Sequence, residues 1–175
     1  MNRTLAAAAV LALAACGRLD QVDITRSASV NVPGVPGAPA GSIPSIQALD
    51  IGGGDQLRAE GIDPGDVDSA KLRRLSLEVT AGDSLETWVD SVSIYVETAG
   101  QPRILLATKS GISALPAGTT HVDLDVDAGA NLKPYLTAAS SPVTVEATGR
   151  APDVNTTVKV TATIRVDVNV SGLLN

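Results

Sequence analysis

The chain is 175 residues long and carries 13 basic against 19 acidic side chains, for a net charge of −6. That balance does not suit the phosphates of nucleic acid or a grip on anionic lipid heads, and 44% hydrophobic residues exclude a disordered chain. A single cysteine leaves no intrachain disulfide, and a core without Phe, with one Trp and two Tyr, must be aliphatic. The same scarcity argues against aromatic cages and sugar-stacking platforms.

The N-terminal end reads as an export signal. Met1-Asn2-Arg3 precedes an apolar run from Leu5 to Ala15. One cation followed by about ten apolar residues has the form of a secretory signal and is shorter than the roughly 20 residues of a membrane-spanning helix. The run ends in Leu13-Ala14-Ala15-Cys16. These four positions form a lipobox, and the segment resembles the lipid-anchoring site of bacterial lipoproteins. The resemblance implies that a peptidase recognises Leu13, Ala14 and Ala15 and removes residues 1–15. It implies that Cys16 carries a diacylglycerol thioether and an acylated amine, and several acyl chains hold a protein stably where one does not. Loss of Arg3 would make the mature chain one unit more negative. Gly17 stands where an aspartate favours inner-membrane retention, so the expected address is the outer membrane of a diderm host, on a face left open. Beyond these residues the chain resembles no known family.

Residues 16–41 hold the lipidated cysteine, an expected first strand and a Pro/Gly-rich segment. Val22, Ile24, Ala28, Val30 and Val32 share one parity, with Arg26 the exception, which argues for a strand over a plain tether. Pro33-Gly34-Val35-Pro36-Gly37-Ala38-Pro39-Ala40-Gly41 then offers few ladder options. The rest, 42–175, is expected to be the sandwich domain. Asp63-Pro64-Gly65-Asp66-Val67-Asp68 reads as a loop. Leu75, Leu77 and Val79 alternate with polar residues, as do Val92, Ile94 and Val96. Asp83-Ser84-Leu85-Glu86 has capping character ahead of Trp88. Ala99-Gly100-Gln101-Pro102 turns the chain into a shorter strand near Arg103–Thr108. Val122, Leu124 and Val126 predict one further strand, and Asn131–Leu136 a helical turn. The strongest signal runs from Val158 to Val170, with apolar residues at every even position. It predicts a strand of roughly 40 Å, a length that usually bends or serves two sheets. With Val143, Val145 and Ala147 before it and turn residues between, 142–148 and 157–170 are expected to form an antiparallel hairpin.

Short strands with one apolar face each predict an all-β chain: a single antiparallel β-sandwich, immunoglobulin-like or a similar Greek key, of about seven or eight strands with short helical turns.

Sites of chemistry are few. His121 is the only histidine; as the base of a Ser-His-Asp set it would need Asp123 or Asp125 and a serine on an elbow. Gly111-Ile112-Ser113-Ala114-Leu115 lacks the second glycine of that elbow, and an exposed strand-end histidine is the simpler reading. Asp63, Asp66 and Asp68 are the calcium candidates, since extracytoplasmic modules often take oxygen ligands from a flexible loop. Against that, the EF-hand order is absent and Asp-Pro-Gly is an ordinary turn. Asp123, Asp125 and Asp127 are expected on one solvated strand face. Gly52-Gly53-Gly54 lacks the Gly-Lys-Ser/Thr of a phosphate loop. No cofactor and no enzymatic activity are expected. The expectation is a lipid-anchored envelope protein that binds or scaffolds another envelope component, with the membrane and that component as partners. The alternative is a carrier holding a small ligand or lipid in a cavity between the sheets.

Overall fold

A computed structural model of the chain describes residues 21–169. Nine strands form two antiparallel sheets packed face to face. The first sheet has the order β1-β9-β3-β6, and the second β2-β8-β4-β5-β7. In chain order the strands are β1 Gln21–Val32, β2 Gly41–Asp50, β3 Val67–Ala81, β4 Val89–Thr98, β5 Gln101–Ser110, β6 His121–Asp123, β7 Asp125–Val126, β8 Pro142–Gly149 and β9 Thr156–Val168. Two short helices, α1 Gly54–Ala59 and α2 Lys133–Leu136, sit in the connections.

The pairing has a simple logic. The first strand pairs with the last, β2 with β8, β3 with β6 and β4 with β5. With β6 and β7 taken as halves of one strand, the chain is a single two-stranded ribbon folded at Ala99-Gly100 and wound so that successive strand pairs along the ribbon fall in alternate sheets. The expected sandwich is present, and its Greek-key winding is that of a jelly roll rather than an immunoglobulin domain.

Two expectations about pairing are corrected. Segments 142–148 and 157–170 do not form a hairpin: β8 lies between β2 and β4, and β9 lies between β1 and β3 in the other sheet. Alternation reports which face of a strand is apolar, not which strand lies beside it. Here Val143 of β8 and Val158, Val160, Ala162, Ile164 and Val166 of β9 are all buried, and they meet across the core. The connection between them bridges the sheets and gives its hydrogen bonds elsewhere. The Arg150 N–H donates to the Trp88 carbonyl at 2.8 Å, and the N–H groups of Asp153 and Val154 donate to Asp83 Oδ2. The expected strand through Val122 and Val126 is also divided. Its alternation holds, but β6 belongs to the first sheet and β7 to the second. Buried Leu124 lies between them, its N–H on the Leu75 carbonyl.

Other differences have local causes. The long β9 stays in one sheet, paired on both sides. Strand β3 begins at Val67, so the loop expected at 63–68 is shorter. Alternation is lost in its first half, ahead of Leu75, because the register slips between Val67 and Ser69 and again between Leu72 and Arg74. That bulge keeps both Leu72 and Leu75 buried although they stand three apart. Strand β2 escaped sequence detection because Pro44 and two register shifts break its period. The capping expected in Asp83-Ser84-Leu85-Glu86 is not made, since Ser84, the residue before the helical turn, forms no side-chain cap. The Ser84 hydroxyl donates to Glu86 Oε1, and that carboxylate turns outward to receive the N–H groups of Gly118 and Thr119 at 2.8 and 3.0 Å.

Candidate functional site

The two long sides of the sandwich differ. One is closed, because the chain itself crosses from β6 to β7 there, and the N–H groups of Leu124 and Asp127 donate to Leu75 and Leu106 in opposite sheets. The other side is the gap between β1 and β2, the outermost strands of their sheets. Along half of this gap lies an apolar groove. Val30 and Val32 of β1 form one wall, Ile43, Pro44 and Ile46 of β2 the other, and Leu77, Trp88, Val145 and Val158 its floor. It encloses about 40 Å³. That is little more than the space of one water molecule, and an apolar lining of this kind stays dry. A larger apolar group would have to part β1 and β2 to enter.

Each end of the gap is fastened. At one end the turn after β1 is tied to the connection after β8. The Val35 N–H donates to the Pro152 carbonyl at 2.7 Å, and Gly34 N–H to Asn155 Oδ1 at 2.9 Å. At the other end stands Arg26, the exception to the parity of β1. It does point inward: its side chain is 12% exposed and its guanidinium reaches Glu60, just past α1, at 2.5 Å. The aliphatic stem lies along the core edge while the head finds its carboxylate. Its Nε is buried and has no hydrogen-bond partner.

Three other carboxylates have structural partners. Asp50 accepts from Gly52 N–H at 2.8 Å, Ser141 N–H at 2.7 Å and the Ser140 hydroxyl at 2.5 Å. Burial pushes this carboxyl up, but those three hydrogen bonds outweigh it and hold it below the ordinary carboxylate value. Glu86 is likewise lowered, chiefly by the Ser84 hydroxyl and then by the N–H groups of Gly118 and Thr119. On the outer face of the first sheet Arg165 holds Asp23 through two bonds of 2.8 and 2.9 Å, lowering that carboxyl and raising the guanidinium.

The residues singled out from the sequence are dispersed. Leu13, Ala14, Ala15 and Cys16 lie outside the described residues. Asp63 caps a short helical turn, accepting from Gly65 N–H at 2.8 Å. Asp66 donates its own N–H to the Asp63 carbonyl, and Asp68 is exposed at the start of β3. Among the described residues no three His, Cys, Asp or Glu side chains are grouped to hold a metal ion. His121 is exposed, with Nε2 3.6 Å from Asp123 Oδ1. The expected row of Asp123, Asp125 and Asp127 is broken up by the division of the strand. Asp123 lies beside Arg74, Asp125 beside Lys109 in the other sheet, and Asp127 receives Gly129 N–H at 2.9 Å. The groove itself was invisible to sequence reading, since it exists only where β1 and β2 become neighbours.

No model of a known protein family matches the chain, and no curated protein sequence matches it. Among solved structures it is similar to a chain of the cyanophage Pam1 capsid, at 17% identity and a TM-score of 0.45, over 94% of this chain and 99% of that one. It is similar to a chain of desmodium yellow mottle tymovirus, at 10% identity and a TM-score of 0.32, over 95% of each. A third is the empty head of turnip yellow mosaic virus, at 13% identity and a TM-score of 0.32, over 95% of this chain and 90% of that one. Likeness at this level reaches no residue of the groove.

Proposed function

We propose that this chain is a lipid-anchored, non-catalytic binding or scaffolding module of the bacterial envelope, held at the outer membrane through Cys16. The observation that carries the proposal is the position of β1. It begins at Gln21, so only residues 17–20 separate the edge of the sandwich from the lipobox cysteine. Five residue steps span at most about 18 Å, which would keep the domain against the membrane rather than at the end of a long tether. A rigid sandwich with polar outer faces and hydrogen-bonded loops is a platform for partner contacts.

The test joins chemistry to location. Mass spectrometry of the native N-terminal peptide is expected to show cleavage before Cys16 and acylation, and Cys16→Ala is expected to leave the membrane fraction. An unmodified Cys16 thiol in a soluble protein would sink the anchoring. Cross-linking in intact cells then tests the scaffolding role, with one dominant partner lost in Cys16→Ala as the expected result.

The groove favours a second reading, a carrier of an apolar ligand or lipid between the sheets. Its apolar lining supports it, and its small volume limits the ligand to one that parts β1 from β2. Lipid co-purifying with the native protein and displaced by Val145→Trp would promote this reading. A ligand-free preparation would remove it.

A further inference from the structure

We propose that β1 is a self-association edge, through which two copies of this chain join their four-stranded sheets into one continuous sheet. Three of the four sheet edges are blunted against such pairing. Strand β2 carries Pro44 and two register shifts, β6 has three residues and β7 has two. Strand β1 has no proline, register shift or truncation, and its one inward-pointing charge, Arg26, is taken up by Glu60 of the same chain. Its twelve residues run in unbroken register with β9, from Gln21 opposite Asp167 to Val32 opposite Thr156. Among the described residues its other side pairs with no strand.

The occupant follows from the side chains of β1. Antiparallel pairing that keeps core face beside core face must set residues of equal parity opposite one another. With the two-fold axis at Ser27, Val22 faces Val32, Ile24 faces Val30, Arg26 faces Ala28, Asp23 faces Asn31, Thr25 faces Ser29, and Ser27 faces itself. Every core-side pair then joins apolar residues, or sets Arg26 against the smallest of them. Every outer pair joins small polar residues, and no like charges stand opposite. A shift of the axis to Arg26 would set two guanidinium groups opposite each other. A shift to Ala28 would leave Val22 out of the ladder. That matters because Val22 has the parity of the core, yet is 42% exposed in the single chain. In the Ser27 register it comes to lie beside Val30 and Val32 of the second copy, the β1 wall of that copy's groove. The inference does not rest on lipidation of Cys16.

Disulfide trapping tests the register, in full chains carrying Cys16→Ser so that the introduced thiol is the only one. Residues opposite across an antiparallel pair have Cα atoms about 5 Å apart, within disulfide reach. Oxidised Ser27→Cys is therefore expected to run as a covalent dimer. Thr25→Cys and Ser29→Cys alone are expected to stay monomeric, because each lies about 13 Å along the strand from its own copy. The two mixed are expected to cross-link. A monomeric Ser27→Cys chain overturns the proposal, as does equal cross-linking of all three. A second measurement uses no thiol. Ser27→Lys, which sets two like charges at the axis, is expected to halve the sedimenting mass while far-UV circular dichroism is unchanged. A wild-type chain that sediments as a monomer at micromolar concentration would equally overturn it.

Discussion

The carbonyl oxygen of Trp88 lies 2.1 Å from where a Cβ on Gly149 would stand. Gly149 ends β8 opposite Val89 of β4, with φ at 141°, a conformation that side chains rarely adopt. The close approach lets the Trp88 carbonyl accept the Arg150 N–H as the chain leaves one sheet for the other. Gly149→Ala is expected to lower stability by about 2–4 kcal/mol, read from urea denaturation. Gly100, in the β4–β5 turn, also has positive φ, but no atom lies within 4 Å of an added Cβ. Gly100→Ala is expected to cost only about 1 kcal/mol. Equal costs at the two sites would contradict the close contact at Gly149.

The Arg26–Glu60 pair predicts an asymmetric double-mutant cycle. Glu60→Gln leaves an inward-facing cation without its carboxylate and is expected to cost about 1–2 kcal/mol, reduced from a fully buried case because Glu60 is partly exposed. Arg26→Met removes the buried Nε as well as the charge and is expected to cost less. The double variant is expected to match Arg26→Met within a few tenths of a kcal/mol. A Glu60→Gln variant as stable as wild type would show that the pair does not fasten the gap.

Acid stability should trace to the same hydrogen-bonded carboxylates. The folded-state values of Asp23, Asp50 and Glu86 are all lowered. Their contribution is present above the unfolded values, near pH 4, and is lost as pH falls through the folded values. Asp50→Asn is expected to cost about 1–2 kcal/mol at pH 7, and the difference from wild type is expected to shrink as pH falls below 4. Urea midpoints measured from pH 7 to pH 2 check it. A difference that stays constant over that range would assign the cost to shape rather than charge.

A chain starting at residue 42, where sequence reading places the domain, removes β1 and uncovers β9 along twelve paired positions. It is expected to lose cooperative unfolding and to aggregate. A chain starting at residue 17 is expected to unfold in one transition. A folded, soluble protein from residue 42 would show that β1 is an accessory to the sandwich.

How far sequence could be read depends on what alternation encodes. It gave the inward faces of β1, β4, β8 and β9, because a half-buried strand must alternate. It failed at Leu72–Leu75, where the bulge adds a residue, and in β2, where Pro44 and two shifts erase the period. It placed β8 beside β9 because both are apolar on alternate residues, although their partners lie in opposite sheets. The expected lipobox rests on a short contiguous segment, which is why sequence alone can suggest it, and its residues lie outside the described ones. The groove joins Val30, Ile46 and Val145, whose neighbourhood is set by strand order and not by any local pattern.

Because β1 pairs with β9, Asp23 finds Arg165 across 142 positions of chain. The first strand to be synthesised waits for the last, and the ribbon closes only when the C-terminal end has arrived. Non-local closure of this kind makes folding slow. A chain that ends before β9 holds no complete first sheet, because β1 then has no partner and β3 keeps only β6.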